Sequence, residues 1–354
     1  MLSKARNGFS LIELVAVITI AASVGAVLAP SMARMRGHMR GVSSVGNLST
    51  IGQASAMYGI DHEDRIAAYS WRAGETYVNL GNGNSFTPSS DTVAAAYQLR
   101  DILYRATGRL QGSFRILTPT SRLVHRRYSH LVLADYMDNV GERLWADPSD
   151  INQTIWQDFP TFYDFVPYGQ GMPQQFGYDT DSSWTLSSIK QLWAFGSSYQ
   201  TVPHAWMPDT TPSYVPLPFT PHSFTTSGGF PHLGDRLQTE VAFPSAKVMM
   251  FEEFDRERVG HPYFAYSYTT PAKLMFDGSI NTARTDAATL SVSPEDYSFG
   301  WKEPWYQHYL PLDKFPVPIG GLGDSTDLNM HYRWTLGGLQ GIDYPQTLMP
   351  SFGR

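Results

Sequence analysis

Carboxylates gather in this chain at two places where their spacing could serve chemistry. Glu252, Glu253 and Asp255 stand together in "MMFEEFDR". A glycosidase needs paired acids, one to protonate the leaving group and one to attack or to activate water. The surrounding residues read as a strand, though, and neighbouring strand residues face opposite sides, so Glu252 and Glu253 are not expected to share a site. In "GDSTDLN", Asp324, Asp327 and Asn329 offer hard oxygen ligands of the kind Ca2+ takes. The stretch lacks the EF-hand pattern, and an Asx-rich turn accounts for it equally well. Calcium is the one candidate ion, and no other cofactor is expected.

The histidines, among them His204, His222, His232 and His261, stand mostly beside proline or aromatic residues, with no His-Glu-x-x-His or other ligand spacing. There is no Gly-x-Ser-x-Gly elbow, no phosphate-binding loop and no Gly-x-Gly-x-x-Gly after a strand. The chain is therefore not expected to be an enzyme. Trp184, Trp193, Trp206, Trp301 and Trp305 could form a platform for sugar rings, and a role in the core or at a subunit interface explains them as well. One further acid stands apart. Glu13 is the only charge between Phe9 and Ala29, in a run of 21 residues that as a helix would span roughly 30 Å, the thickness of a bilayer core. A charge in such surroundings is costly unless it is paired.

The elements that must position these residues follow from periodicity. Beyond Pro30 the apolar residues Met32, Met35, Met39, Val42, Val45, Leu48 and Ile51, then Ser55 and Tyr58, recur in steps of three and four, one face of an amphipathic helix. Arg34, Arg36, His38, Arg40 and Gln53 lie opposite. Pro30 with Gly37, Gly41, Gly46 and Gly52 predicts a helix that can bend. A further helix is expected from Thr92 to Thr107 with Asp91 as N-cap, and residues 122–137 lean towards helix. The clearest strands are Ala246–Phe254 and Ala272–Phe276, the latter followed by Asp277-Gly278, a hairpin signal, and a returning strand in "SINTART". "YVPLPFTPH" is excluded as a central strand, because each proline removes a ladder donor.

Bulk composition sets wider limits. With 354 residues the chain can bury a sizeable core, and with 14% aromatic residues, 24 prolines and 30 glycines it reads as short strands and ordered loops. A net charge of −6 argues against nucleic acid as a partner. The absence of cysteine removes disulfides, thiolate metal sites and thiol nucleophiles.

The N-terminal stretch "GFSLIELVAVI", preceded by the basic "MLSKARN", resembles the type IV prepilin signature shared with type II secretion pseudopilins. The resemblance implies cleavage by prepilin peptidase between Gly8 and Phe9, N-methylation of Phe9, an assembly role for the acidic Glu13, and in Pro30 the proline that loosens the pilin helix. The alternatives are a cleaved signal peptide or a plain anchor. A pairing of Glu13 with the new Phe9 amine of a neighbouring subunit would neutralise both charges and set the stagger between helices. The implied organisation is a leader at 1–8, a transmembrane and filament-core helix at 9–30, its amphipathic continuation at 31–60, and an extracytoplasmic pilin-like domain at 61–354.

The implied fold is α+β: a long N-terminal helix, half transmembrane and half amphipathic, packed on an antiparallel sheet with large loop insertions. The implied function is that of a structural subunit of a type IV pilus-like or secretion pseudopilus filament. Its partners would be prepilin peptidase, other pilin or pseudopilin subunits and the inner-membrane assembly platform. The implied location is the inner membrane, single-pass with the globular part outside the cytoplasm, and after assembly a periplasmic or surface filament. The alternative is a minor, tip-located subunit that recognises a glycan or an exported protein. Pilin-like secretion proteins can also hold Ca2+ in a C-terminal loop, which gives Asp324, Asp327 and Asn329 their second rationale. "WADPSD" (Trp145–Asp150) and "PSAKVMMFEEFDR" followed by His261 and Asp277-Gly278 resemble elements of large planctomycete-type prepilin-like proteins, with a wider His261–Asp277 spacing than is usual there.

Overall fold

The computed structural model describes residues 11–78, 85–107, 124–137, 143–150, 153, 195–209, 214–216, 225–227, 232–258, 262–290, 305–307, 325–327 and 331–345. The first element, α1 (Leu11–Asp61), is 51 residues long and runs unbroken through Pro30. Its final third is amphipathic in fact as well as in pattern. Gly41, Ser44, Leu48, Ile51, Ser55 and Tyr58 are buried, three or four residues apart, so they share one face of the helix. The stripe is displaced from the expected one at its start: Met39 and Val42 are 60% and 72% exposed, and the small Gly41 and Ser44 face inward instead. Gly41 lies under the Glu257 carboxylate and Ser44 bonds to Glu252, so small residues are what this close approach admits.

The sheet beneath α1 has four strands in the order β3-β6-β7-β8, all antiparallel: β3 (Tyr199–Thr201), β6 (Val248–Glu252), β7 (Lys273–Met275) and β8 (Ile280–Asn281). Asp277-Gly278 makes the β7–β8 turn as its sequence predicts. Gly278 takes φ +84°, a conformation that costs glycine little, and the Asp277 side chain accepts from the Ser279 N–H at 2.9 Å and the Ser279 hydroxyl at 2.6 Å. Every residue of β6 is buried, because both faces of the sheet are covered. A register shift between Val248 and Met250 puts Met249 and Met250 together on the α1 side, with Leu48, Ile51, Tyr58, Trp145 and Leu274. Val248, Phe251 and Phe254 point the other way, into a core with Trp206, Tyr263, Phe264, Tyr332 and Trp334.

The remaining strands pair outside this sheet: β1 (Tyr77–Val78) with β2 (Ser85–Phe86), β4 (Tyr214–Pro216) with β5 (Thr225–Ser227), and β9 (Trp305–Gln307) with β10 (Ser325–Asp327). Pro216 thus sits in a two-stranded ribbon, where a missing donor is tolerated. Helix α2 (Asp91–Thr107) forms where its periodicity predicts, but its cap is Ser90, whose hydroxyl accepts from the Val93 N–H at 3.3 Å. The Asp91 carboxylate instead receives the Ala73 and Leu233 N–H groups at 2.7 and 2.9 Å. Within the expected 122–137 helix, the described residues form a one-turn helix, α3 (Val124–Arg127), and a 3-10 segment, Ser129–Tyr136.

These observations correct the expected pilin-like fold. Among the described residues no helix is long and apolar enough to cross a membrane, so the transmembrane half of the expected helix is not what is found. Nor does α1 lie on a broad antiparallel sheet. It packs on the 3-10 segments Ser129–Tyr136 and Arg143–Trp145 as well as on the four short strands, where Leu48 and Ile51 meet Met249, Met250 and Leu274. The physical reason lies in the dense prolines, glycines and bulky aromatic residues, which hold strands to two to five residues and leave 3-10 turns to complete the core.

Candidate functional site

The described apolar side chains at the start of α1 are bare. Leu11, Ile12, Leu14, Val15, Val17, Ile18, Ile20 and Val24 are each at least half exposed, with Leu11 at 79% and Ile12 at 80%. At 100° per residue, positions 11, 12, 14, 15, 17, 18 and 20 point to all sides of the axis. A helix apolar on all sides is stable only when surrounded by other apolar matter. Its two hydroxyls fit that demand: Thr19 donates to the Val15 carbonyl and Ser23 to the Thr19 carbonyl, each at 2.8 Å, so neither donor needs water. Gly8 and Phe9 lie outside the described residues. Glu13 and Pro30 lie within α1, and their side chains are outside what is described.

Where α1 reaches the globular part, a buried polar seam holds it. Ser44 and Asn47 on α1 meet Tyr199 of β3 and Glu252 of β6. Ser44 Oγ lies 2.9 Å from the Tyr199 hydroxyl and donates to Glu252 Oε1, and Asn47 Nδ2 donates to the Tyr199 hydroxyl at 3.2 Å. Glu252 Oε2 accepts the Ala272 N–H at 3.0 Å. Burial, with the Asp147 charge nearby, pushes the Glu252 carboxyl up to about 8, against partial relief from the Ser44 and Ala272 bonds and the Arg256 charge. Lys273, on the neighbouring strand, donates to the Pro271 and Ala283 carbonyls at 2.6 and 2.8 Å beneath the rings of Tyr332 and Tyr344. Burial lowers it to about 7, against the opposing pull of Glu252 and Asp255.

The structure joins the two short stretches that stood out in the sequence. Asp150, from "WADPSD", pairs with Arg256, two residues past Phe254, and Ser198 donates to the same Asp150 oxygen at 2.7 Å. The "EEFD" acids all have structural partners, and of the three only Glu252 and Asp255 border the same hollow. Glu252 faces α1, Glu253 pairs with Arg127 in the buried interior, and Asp255 accepts from Arg258 Nε at 2.9 Å and the Thr270 N–H at 2.8 Å. The opposite facing of Glu252 and Glu253 is what their adjacency requires.

Among the described residues no group of three or more His, Asp or Glu could hold a metal ion. Asp324 and Asn329 lie outside the described residues, and Asp327 is placed only as a backbone position in β10, opposite Trp305. His222 and His261 are also outside. His204 is buried with its ring edge-on to Trp334 at 5.7 Å and its Nδ1 3.4 Å from Asp209, whereas His232 is exposed beside Asp91. Of the four, the described His204 and His232 sit beside different acids, and Asp277 is occupied by its own turn.

Of the tryptophans considered for a platform, Trp206 is in the core, stacked on His125 at 4.8 Å. Trp184, Trp193 and Trp301 lie outside the described residues, and of Trp305 only the backbone is described. A different row of rings is present. Trp71 stacks on Tyr77 at 4.2 Å with their planes 3° apart, and Phe86 stacks on Tyr97 at 4.1 Å, all four half-buried. The clue was in the sequence: Tyr77 and Phe86 stand either side of the Gly- and Asn-rich residues 79–84, they are partners across β1 and β2, and Phe86 stacks on Tyr97 of α2.

Beside this row opens a cleft of about 760 Å3 lined by Tyr58, His62, Arg65, Arg72, Gln98 and Tyr136, among others. A second, smaller hollow of about 410 Å3 lies at the base of α1, between Gly41, Val45 and the acids Glu252, Asp255 and Glu257. No protein-family model, no curated protein and no solved structure matches this chain.

Proposed function

We propose that this chain is a structural subunit of a type IV pilus-like or type II secretion pseudopilus filament, released from its leader by prepilin peptidase and assembled through α1. The observation that carries the reading is the bare apolar collar from Leu11 to Val24. Apolar side chains on every side of a helix need several neighbours, and a bundle of the same helix from other subunits supplies them. The run "GFSLIELVAVI" supports the same reading, with Gly8 and Phe9 as the processing pair and Glu13 as the charge that sets register between neighbours.

On this reading the subunit waits at the inner membrane, with its globular part outside the cytoplasm, until the assembly platform feeds it into the filament. It does its work by packing, and no catalysis is involved. N-terminal sequencing of the protein extracted from membranes is the decisive measurement. The expected mature start is an N-methylated Phe9. A start at any other residue, or an intact leader, overturns the proposal.

A further inference from the structure

We infer that the cleft between α1, α2 and the Ser129–Tyr136 segment is a binding site for a neutral saccharide, with the ring row from Trp71 to Tyr97 as its extension. The inference is independent of filament assembly.

The rings within the cleft are set to receive a sugar. Tyr58 and His62 stack at 3.9 Å with planes 6° apart, and Tyr136 stands edge-on to both, at 5.9 and 6.3 Å. His62 Nδ1 lies 3.0 Å from the Tyr58 carbonyl, which only accepts, so in the neutral ring Nδ1 carries the proton and Nε2 is an acceptor, while the Tyr136 hydroxyl donates to Asp61 at 3.0 Å. An L-shaped pair of ring planes with hydroxyl and imidazole edges matches a pyranose, which has an apolar C–H face and a polar rim.

The charges of the cleft are balanced. Arg65 and Arg72 both pair with Asp235 at 2.5 Å, Arg72 also lies 3.8 Å from Asp91, Arg105 pairs with Asp101 at 2.7 Å, and Asp135 adds a further carboxylate to the lining. With each cation paired to a carboxylate, the cleft presents alternating charge-bearing donors and acceptors and little net field. That arrangement suits vicinal hydroxyls, each both donor and acceptor, and does not suit phosphate or a polyanion, which would need unpaired arginines.

The cleft meets the ring row at Gln98, a residue of its wall, which accepts the Ser70 and Trp71 N–H groups at 2.8 and 2.9 Å and so holds the Trp71 backbone beside it. From there the stacked and tilted rings of Trp71, Tyr77, Phe86 and Tyr97 continue over the surface. A volume of about 760 Å3 is in the range of small-ligand sites and accepts a short oligosaccharide.

The test uses the full chain in a detergent without a sugar headgroup. Maltotriose, cellotriose and chitotriose are titrated by calorimetry beside trigalacturonate and inorganic phosphate. Saturable binding of at least one neutral trisaccharide is expected, weakened about tenfold or more in His62→Ala and in Tyr136→Ala, the scale of one lost aromatic contact. Melting curves report whether each variant is folded. If Tyr136→Ala is not, His62→Ala, whose ring is at the exposed rim, decides. Absence of binding by all three neutral sugars, binding of the anions alone, or sugar binding that the folded variants leave unchanged would each overturn the inference.

Discussion

Asp150 and Arg256 meet at 2.7 Å with both side chains 3% exposed, and the pair clamps the Trp145–Asp150 turn to the chain leaving β6. The guanidinium also lies over the Phe254 ring at 5.3 Å. Removing one partner leaves the other charged and dry. Asp150→Ala or Arg256→Ala is therefore expected to destabilise the protein by about 3–5 kcal/mol, measured by denaturant unfolding. The double variant should lose much less than the sum of the two, and additive losses would show that the pair does not act as a unit.

Glu252 makes stability depend on pH in a definite direction. Its folded carboxyl titrates near 8, above the ordinary value of 4.5 that it regains on unfolding. Between those values the folded state holds the extra proton, so this group makes stability fall as pH rises, by up to about 1.4 kcal/mol per pH unit. Below 4.5 and above 8 its contribution is level. Glu252→Gln should remove that slope, read as the difference between wild-type and variant unfolding curves from pH 5 to pH 8.5. An unchanged slope would mean that the proton is taken up elsewhere.

Gly234 holds φ +87°, and a Cβ there would come within 2.6 Å of the Tyr69 carbonyl oxygen and 3.0 Å of the Ala68 Cβ. Neither contact can swing aside, since one is backbone and the other a short side chain. Gly234→Ala should cost roughly 1–3 kcal/mol. Gly278→Ala, at φ +84° but with open space around it, should cost less. Thermal melts of the two variants side by side separate the clash from the backbone preference.

Assembly and folding should be separable. Leu48→Ala empties a fully buried position on the inner face of α1 and should lose about 2–5 kcal/mol of stability. Glu13→Ala should leave the melting of the globular part unchanged and sharply reduce incorporation into filaments, scored by immunogold counts. Wild-type incorporation of Glu13→Ala would remove the registration role from that residue.

Local structure was legible where one signal sufficed. Leu48, Ile51 and Tyr58 were readable as buried from helical spacing, and Asp277-Gly278 as a hairpin turn from two residues. The inward placement of Gly41 and Ser44 was not, because what selects them is the Glu252 and Glu257 side chains, more than 200 residues away in sequence. The ion pairs Asp150–Arg256 and Lys247–Asp343 are long-range for the same reason: each isolated residue looks like an ordinary surface charge until a partner is delivered from another segment. The cleft was equally hidden, since Tyr58, Gln98 and Tyr136 share no motif and meet only because α1, α2 and a 3-10 segment converge.

By itself the sequence determined the apolar run with its single acid, the periodicity of the helix that follows, the lack of thiol chemistry and the opposite facing of Glu252 and Glu253. Each of these depends on residue type and on a period of 3.6 or 2, which the chain carries locally. The tertiary structure alone decided that the sheet is four short strands buried on both faces, that the "EEFD" acids are anchors, and that paired arginines and stacked rings line one cleft. Those outcomes depend on which distant groups can neutralise a buried charge or fill a shared core, and only the folded chain sets those distances.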